Sequence, residues 1–121
     1  MGRKKKGEIE LVNLTPHTIT VFDNNGNKIL EVKPSGTVAR VETETEVVGE
    51  VNGIPIVKTK FKEVGNIPEP KPDTMYIVST LVLQAVGNDR PDLIAPDTAS
   101  PESVIRDGNG RILGVRRFQR I

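Results

Sequence analysis

Apolar and polar residues alternate through most of this chain, and only one long stretch is continuously apolar. Residues 8–14 alternate, with Ile9, Leu11 and Asn13 on one face and Glu8, Glu10 and Val12 on the other, which predicts a strand. Thr15-Pro16-His17 interrupts it, because proline has no amide hydrogen to give a ladder. A second strand runs from Thr18 to Asp23. Three Asn-Gly pairs, Asn25-Gly26, Asn52-Gly53 and Asn109-Gly110, each stand between strand-like segments. Asn-Gly tolerates the positive φ that a type I′ turn demands at both central positions, so three hairpins are expected. The first joins residues 19–23 to 28–32, the second 37–51 to 54–62, and the third 103–106 to 111–118. Pro34-Ser35-Gly36 turns the chain between the first two.

The pattern fixes a register for the second hairpin. A two-residue loop sets Val51 opposite Ile54 and Glu50 opposite Pro55, at a site where Pro55 forfeits no ladder bond. A bulge at Gly49 then sets Glu46, Glu44 and Glu42 opposite Lys58, Lys60 and Lys62, with Val47–Val57 and Thr45–Thr59 on the other face. Without the bulge the glutamates meet Thr59 and Phe61. Opposite charges across strands contribute roughly 0.2–1 kcal/mol each, so the bulged register is preferred.

The continuous run is Met75 to Val86. It reads as a buried strand, Met75–Val78, turning at Ser79 into a helix over Thr80–Val86. Ser79 or Thr80 caps it, Leu81, Val82 and Ala85 face the sheet, and Gly87-Asn88 ends it. A strand continuing through Val86 is the alternative. Before the run, Pro68, Pro70 and Pro72 predict an extended surface strap. After it, Asp89 to Thr98, with three carboxylates and two prolines, reads as an ordered loop. These elements predict an α+β, mostly β fold: a bent antiparallel sheet or small β-barrel of about six to eight strands with one short helix. Residues 1–8 form a basic arm and residues 9–121 a single domain.

Composition narrows the chemistry. The 121 residues include one Tyr, three Phe, no Trp and no Cys. The core must be aliphatic, and disulfides and thiolate metal sites are excluded. No apolar run is long enough to span a membrane, so a soluble, cytoplasmic protein without membrane contact is expected. Net charge is only +1, but residues 7–101 carry 8 basic and 14 acidic side chains while both ends are basic. Arg3, Lys4, Lys5 and Lys6, with Arg116, Arg117 and Arg120, are therefore candidates for contact with nucleic acid or an acidic protein, unless the arm is simply a solubilising end. Within a terminal hairpin, Arg116 and Arg120 share one strand face, and Arg111 and Arg117 the other.

His17, the only histidine, stands at the strand break. Arg90 can fork onto a carboxylate or phosphate, or clamp Asp92 or Asp97 and pin its loop. His17, Arg40, Tyr76, Arg90, Asp92 and Asp97 are the ligand-pocket candidates. No catalytic residue, cofactor or metal is assigned: Ser79 lacks a Gly-x-Ser-x-Gly setting, no Gly-rich phosphate loop or zinc spacing is present, and the glutamates at 42, 44 and 46 have lysine partners.

Three blocks, Val12-Asn13-Leu14-Thr15-Pro16-His17, Pro34-Ser35-Gly36-Thr37-Val38-Ala39-Arg40-Val41, and Tyr76-Ile77-Val78-Ser79 leading to Arg90-Pro91-Asp92 and Pro96, together resemble a family of small uncharacterised proteins in actinobacterial, phage-related and archaeal sequences. The resemblance implies one domain and supplies no activity. Neither the basic arm nor the Glu/Lys ladder belongs to it. Three readings follow: a non-enzymatic binding or assembly module, an enzyme with a polar pocket around His17 and Arg90, and a structural component of a phage-like particle that forms a homo-oligomer.

Overall fold

The computed structural model describes residues 9–121; the arm residues Arg3, Lys4, Lys5 and Lys6 lie outside them. Ten strands and one helix follow in the order β1 (Glu10–Asn13), β2 (Ile19–Phe22), β3 (Lys28–Val32), β4 (Arg40–Val51), β5 (Ile54–Gly65), β6 (Thr74–Ile77), α1 (Thr80–Val86), β7 (Leu93–Pro96), β8 (Val104–Arg106), β9 (Ile112–Val115) and β10 (Phe118–Gln119). They form two four-stranded sheets, β1-β6-β7-β10 and β3-β2-β9-β8, and a separate two-stranded ribbon, β4-β5. No sheet closes into a barrel, which corrects that half of the expectation. The sheets are also mixed: β6 lies parallel to both β1 and β7, and β2 lies parallel to β9.

The parallel pairs have a physical origin in the central run. Ser79 has extended backbone and its Oγ accepts from the Val82 amide at 3.2 Å, so the chain leaves β6 and enters α1 at once. The helix carries the chain back so that β7 can run beside β6 in the same direction. Val82 and Leu83 are buried, but Leu81 is 43% exposed. The inward face is thus 82, 83 and 86, and the expected inward place of Leu81 goes to Leu83. The segment expected to be a loop contains β7, a central strand. Leu93, Ile94 and Ala95 are all buried, and a strand covered on both faces shows no alternation to betray it. Leu14, Ala39, Tyr76, Val78, Val82, Leu83, Leu93 and Ala95 make one core cluster beneath α1.

All three Asn-Gly hairpins form, but with two turn chemistries. At Asn52-Gly53 both residues have positive φ, 50° and 81°, as type I′ requires. At the other two only the glycine does, Gly26 and Gly110. There an aspartate opens the turn: Asp23 Oδ1 accepts from the Asn25 and Asn27 amides, and Asp107 Oδ1 from the Asn109 and Arg111 amides. The carboxylate satisfies turn amides that a tight two-residue loop would not present, and the loops lengthen accordingly.

The third hairpin also ends sooner than expected. β9 stops at Val115, the chain bends at Arg116-Arg117, and β10 joins the other sheet against β7. Strand alternation therefore does not place Arg116 with Arg120. Gly114, inside β9, lies close against β2. A Cβ there would stand 2.4 Å from the Thr20 carbonyl oxygen and 2.7 Å from Phe22 Cε2, and a backbone oxygen in a ladder cannot swing aside. Gly114→Ala should cost about 1–3 kcal/mol, seen as a lower midpoint in urea unfolding; an unchanged midpoint would show that β2 and β9 are not held this close.

No helix among the described residues is long and apolar enough to cross a membrane.

Candidate interaction surface

The fold brings three of the six pocket candidates together, Tyr76, Arg90 and Asp92, and sets His17, Arg40 and Asp97 in other places. Arg90 grips Asp92 bidentately, Nε to Oδ1 at 2.9 Å and Nη2 to Oδ2 at 2.8 Å, and Nη2 also donates to the Pro68 carbonyl at 2.8 Å. The Tyr76 hydroxyl donates to the neighbouring Glu69 carbonyl at 3.2 Å, and Asn66 Nδ2 to Val38 O at 3.1 Å. These bonds pin the proline strap. The Arg90 hydrogen bond holds the Asp92 carboxyl below the usual carboxylate range, and Asp92 in turn raises Arg90. Asp97 belongs to another pair: Arg117 Nε donates to its Oδ2 at 2.6 Å, across the bend between the sheets, and lowers it likewise. Arg116 donates to the carbonyls of Glu102 at 2.8 Å and Asp23 at 3.4 Å. Two of the C-terminal arginines proposed for phosphate contact are thus engaged in holding the fold, while Arg120 is exposed.

His17 stands apart. It is exposed and lines a cleft of about 200 Å³ with Ile19, Pro96, Thr98 and Ile112. None of Arg40, Tyr76, Arg90, Asp92 or Asp97 lines that cleft. What the local structure uses at position 17 is the backbone: the carbonyl accepts from Asn13 Nδ2 at 2.7 Å and the amide donates to Thr15 Oγ1 at 3.4 Å. Arg40 lies elsewhere again, in a groove at the foot of the ribbon with Glu42, Glu63 and Asn66.

The surface with no structural explanation is the ribbon itself. Val41 packs against the core, and Val64, half-buried and paired with it, completes the foot of the ribbon. Every residue from 42 to 63 is exposed, on both faces. An isolated pair of strands is marginal by itself, yet these two form a sheet of their own and run twelve residues each. The register follows the charge pattern near the tip: Glu46 faces Lys58, Glu44 faces Lys60, Thr45 faces Thr59 and Val47 faces Val57, with the irregularity at Gly49. A second irregularity, between Val41 and Thr43, ends the ladder before Glu42 pairs with Lys62. The ion pairs themselves run diagonally, Lys60 to Glu46 at 2.6 Å and Lys62 to Glu44 at 3.8 Å, as long side chains do on a twisted ribbon. Among the described residues, no group of three or more His, Asp or Glu is placed to hold a metal ion.

The two faces differ. One carries the Glu and Lys side chains. The other carries Thr43, Thr45 and Val47 opposite Phe61, Thr59 and Val57, with no charge among them. Val47 is 68% exposed and Ile54, at the tip, 63%. A face of Val, Thr and Phe alternating with charged residues is the pattern of a half-buried strand, yet among the described residues nothing buries it. That mismatch is the one signal of this surface in the sequence, and it becomes readable only once the rest of the core is known to be complete without it.

Comparison with protein-family models, with curated proteins and with solved structures finds no significant match.

Proposed function

We propose that the protein is a non-enzymatic assembly module whose β4–β5 ribbon joins one copy to another. The observation that carries this is the ribbon: a long, two-stranded element with an uncharged face and two open edges, exposed from residue 42 to 63, on a domain whose core takes in only its foot. Exposed strand edges of this length are normally shortened, covered or paired, and an apolar strand face in water calls for a partner. A homo-oligomeric structural role, of the kind a particle component has, fits this surface. Recognition of nucleic acid by the C-terminal arginines has less support, since Arg116 and Arg117 are already bonded within the domain. An enzymatic pocket joining His17 to Arg90 has less still, since Arg90 is committed to Asp92 and the strap and takes no part in the cleft that His17 lines.

The reading is tested by shortening the ribbon. Replacing residues 45–59 by Asn-Gly keeps the Glu44–Lys60 pair as the last rung of a shorter type I′ hairpin and leaves every core residue in place. Light scattering should give a multi-protomer mass for the full chain and a monomer mass for the shortened one, with thermal midpoints within a few degrees of each other. A monomeric full chain at the highest attainable concentration, or a shortened chain that still assembles, would refute the proposal.

A further inference from the structure

The sorting of charge between the two ribbon strands indicates which edges meet. On the charged face β4 presents Glu44 and Glu46, with Glu42 at its foot, and β5 presents Lys58, Lys60 and Lys62. One strand is acidic and its partner basic. A ribbon that needed only solubility would be served equally by mixed signs on each strand, since charge of either sign blunts an edge.

The backbone at those edges is available. The pair flanking a two-residue loop, Val51 and Ile54, is hydrogen-bonded, so the next pair, Glu50 and Pro55, is not. Counting on through the Gly49 bulge, residues 47, 45 and 43 of β4 and 57, 59 and 61 of β5 direct their amides and carbonyls away from each other. Among the described residues no further strand accepts them, because the ribbon is a sheet of two. Pro55 removes one outward donor near the tip and leaves the edge from Val57 to Phe61 intact.

We infer that copies of this chain associate head to tail, the outer edge of β4 in one copy pairing antiparallel with the outer edge of β5 in the next. This rests on the assembly reading and goes beyond it by selecting the contact. Pairing β4 with β4 would set glutamates beside glutamates, and β5 with β5 lysines beside lysines; like charges directly opposite destabilise a sheet. Only β4 against β5 alternates acidic and basic strands across the boundary, repeating between copies the pattern already present within one. With all ribbons pointing the same way, neighbouring strands alternate in direction, and the uncharged Thr/Val/Phe face becomes continuous along one side of the shared sheet. Such a contact uses different surfaces on each copy. It therefore propagates past two protomers, into a ring or a filament, and does not stop at a two-fold dimer.

Charge exchange tests this on the full chain. One variant carries Glu42→Lys, Glu44→Lys and Glu46→Lys; a second carries Lys58→Glu, Lys60→Glu and Lys62→Glu; a third carries all six and so keeps the ladder within each ribbon. Analytical ultracentrifugation should find the wild type and the six-fold variant assembled beyond dimers. Each triple variant alone should need at least roughly tenfold higher concentration to assemble, the effect of three cross-strand pairs, and an equimolar mixture of the two should assemble again. Native mass spectrometry of isotopically labelled wild type with the six-fold variant should show separate, unmixed assemblies. A strict dimer, free mixing of those two, or triple variants that assemble alone as well as the wild type would overturn the head-to-tail contact while leaving the assembly proposal standing. A wild type that is monomeric throughout would overturn both.

Discussion

Replacing Asn13 with alanine should cost the domain about 3–5 kcal/mol, one of the largest losses expected from a single side chain here. Asn13 is 1% exposed and its carboxamide is fully used. Nδ2 donates to the carbonyls of His17 at 2.7 Å and Val32 at 2.9 Å, and Oδ1 accepts from the Thr15 amide at 2.9 Å and the Thr15 hydroxyl at 2.7 Å. Two of these partners are carbonyls and one is a backbone amide, so the orientation of the carboxamide is set by the backbone. The Asn13 carbonyl meanwhile accepts from Ser35 N at 2.9 Å, and Leu14, the next residue, bonds both Ile77 O and Ala39 N. The side chain thus ties β1, the end of β3 and the corner where the chain passes from one sheet to the other. Alanine strands the buried Thr15 amide, at about 1–3 kcal/mol, and the half-buried Val32 carbonyl at less, and opens a void besides. Asn13→Asp is the sharper test. It sets a carboxylate oxygen against two carbonyls, so it should be less stable than the alanine variant at pH 7. It should regain stability on acidification, because burial raises the pKa of that carboxyl and protonation restores one donor. Urea unfolding at several pH values decides it; a loss under about 1 kcal/mol for the alanine variant would mean that water enters the corner.

Arg90→Ala should cost about 2–4 kcal/mol, because it leaves Asp92 mostly buried without its partner and frees the Pro68 carbonyl. The pair is shielded, with side-chain exposures of 20% and 15%, unlike the ribbon ladder, whose pairs are more than half exposed and fall in the range of about 0–1 kcal/mol. A double-mutant cycle with Asp92→Asn should return a coupling energy well above that range. The pair also predicts an acid response. The folded-state pKa of Asp92 lies below its unfolded value of about 3.9. Its contribution is complete above that value and is lost as pH falls from there through the lower, folded-state value. The Asp92→Asn variant should therefore show a flatter stability profile than wild type below about pH 4, and profiles that stay parallel would count against the clamp.

Local chemistry was readable wherever a residue's role depends on near neighbours in the chain. The Asn52-Gly53 turn, the Gly49 irregularity, the Glu46–Lys58 and Glu44–Lys60 register and the Ser79 cap all follow from residues a few positions apart or directly across one hairpin. Asp23 and Asp107 were as visible in the sequence as the Asn-Gly pairs beside them, but the glycine signal outweighed the carboxylate that shapes those two loops.

What the sequence by itself determined, then, is a valine-rich chain of hairpins with one strand-to-helix switch at Ser79, because turn geometry, capping and alternation are local properties of the backbone. The tertiary structure alone decided that Leu93–Pro96 is a central strand, since a strand covered on both sides carries no periodic mark. It alone decided that Arg90 meets Asp92 and Pro68 while Arg117 takes Asp97, since ion pairing depends on where distant segments come to rest. It alone showed that the alternating ribbon is exposed on both faces from residue 42 to 63: whether an apolar face is covered depends on what the rest of the chain, or another chain, places against it.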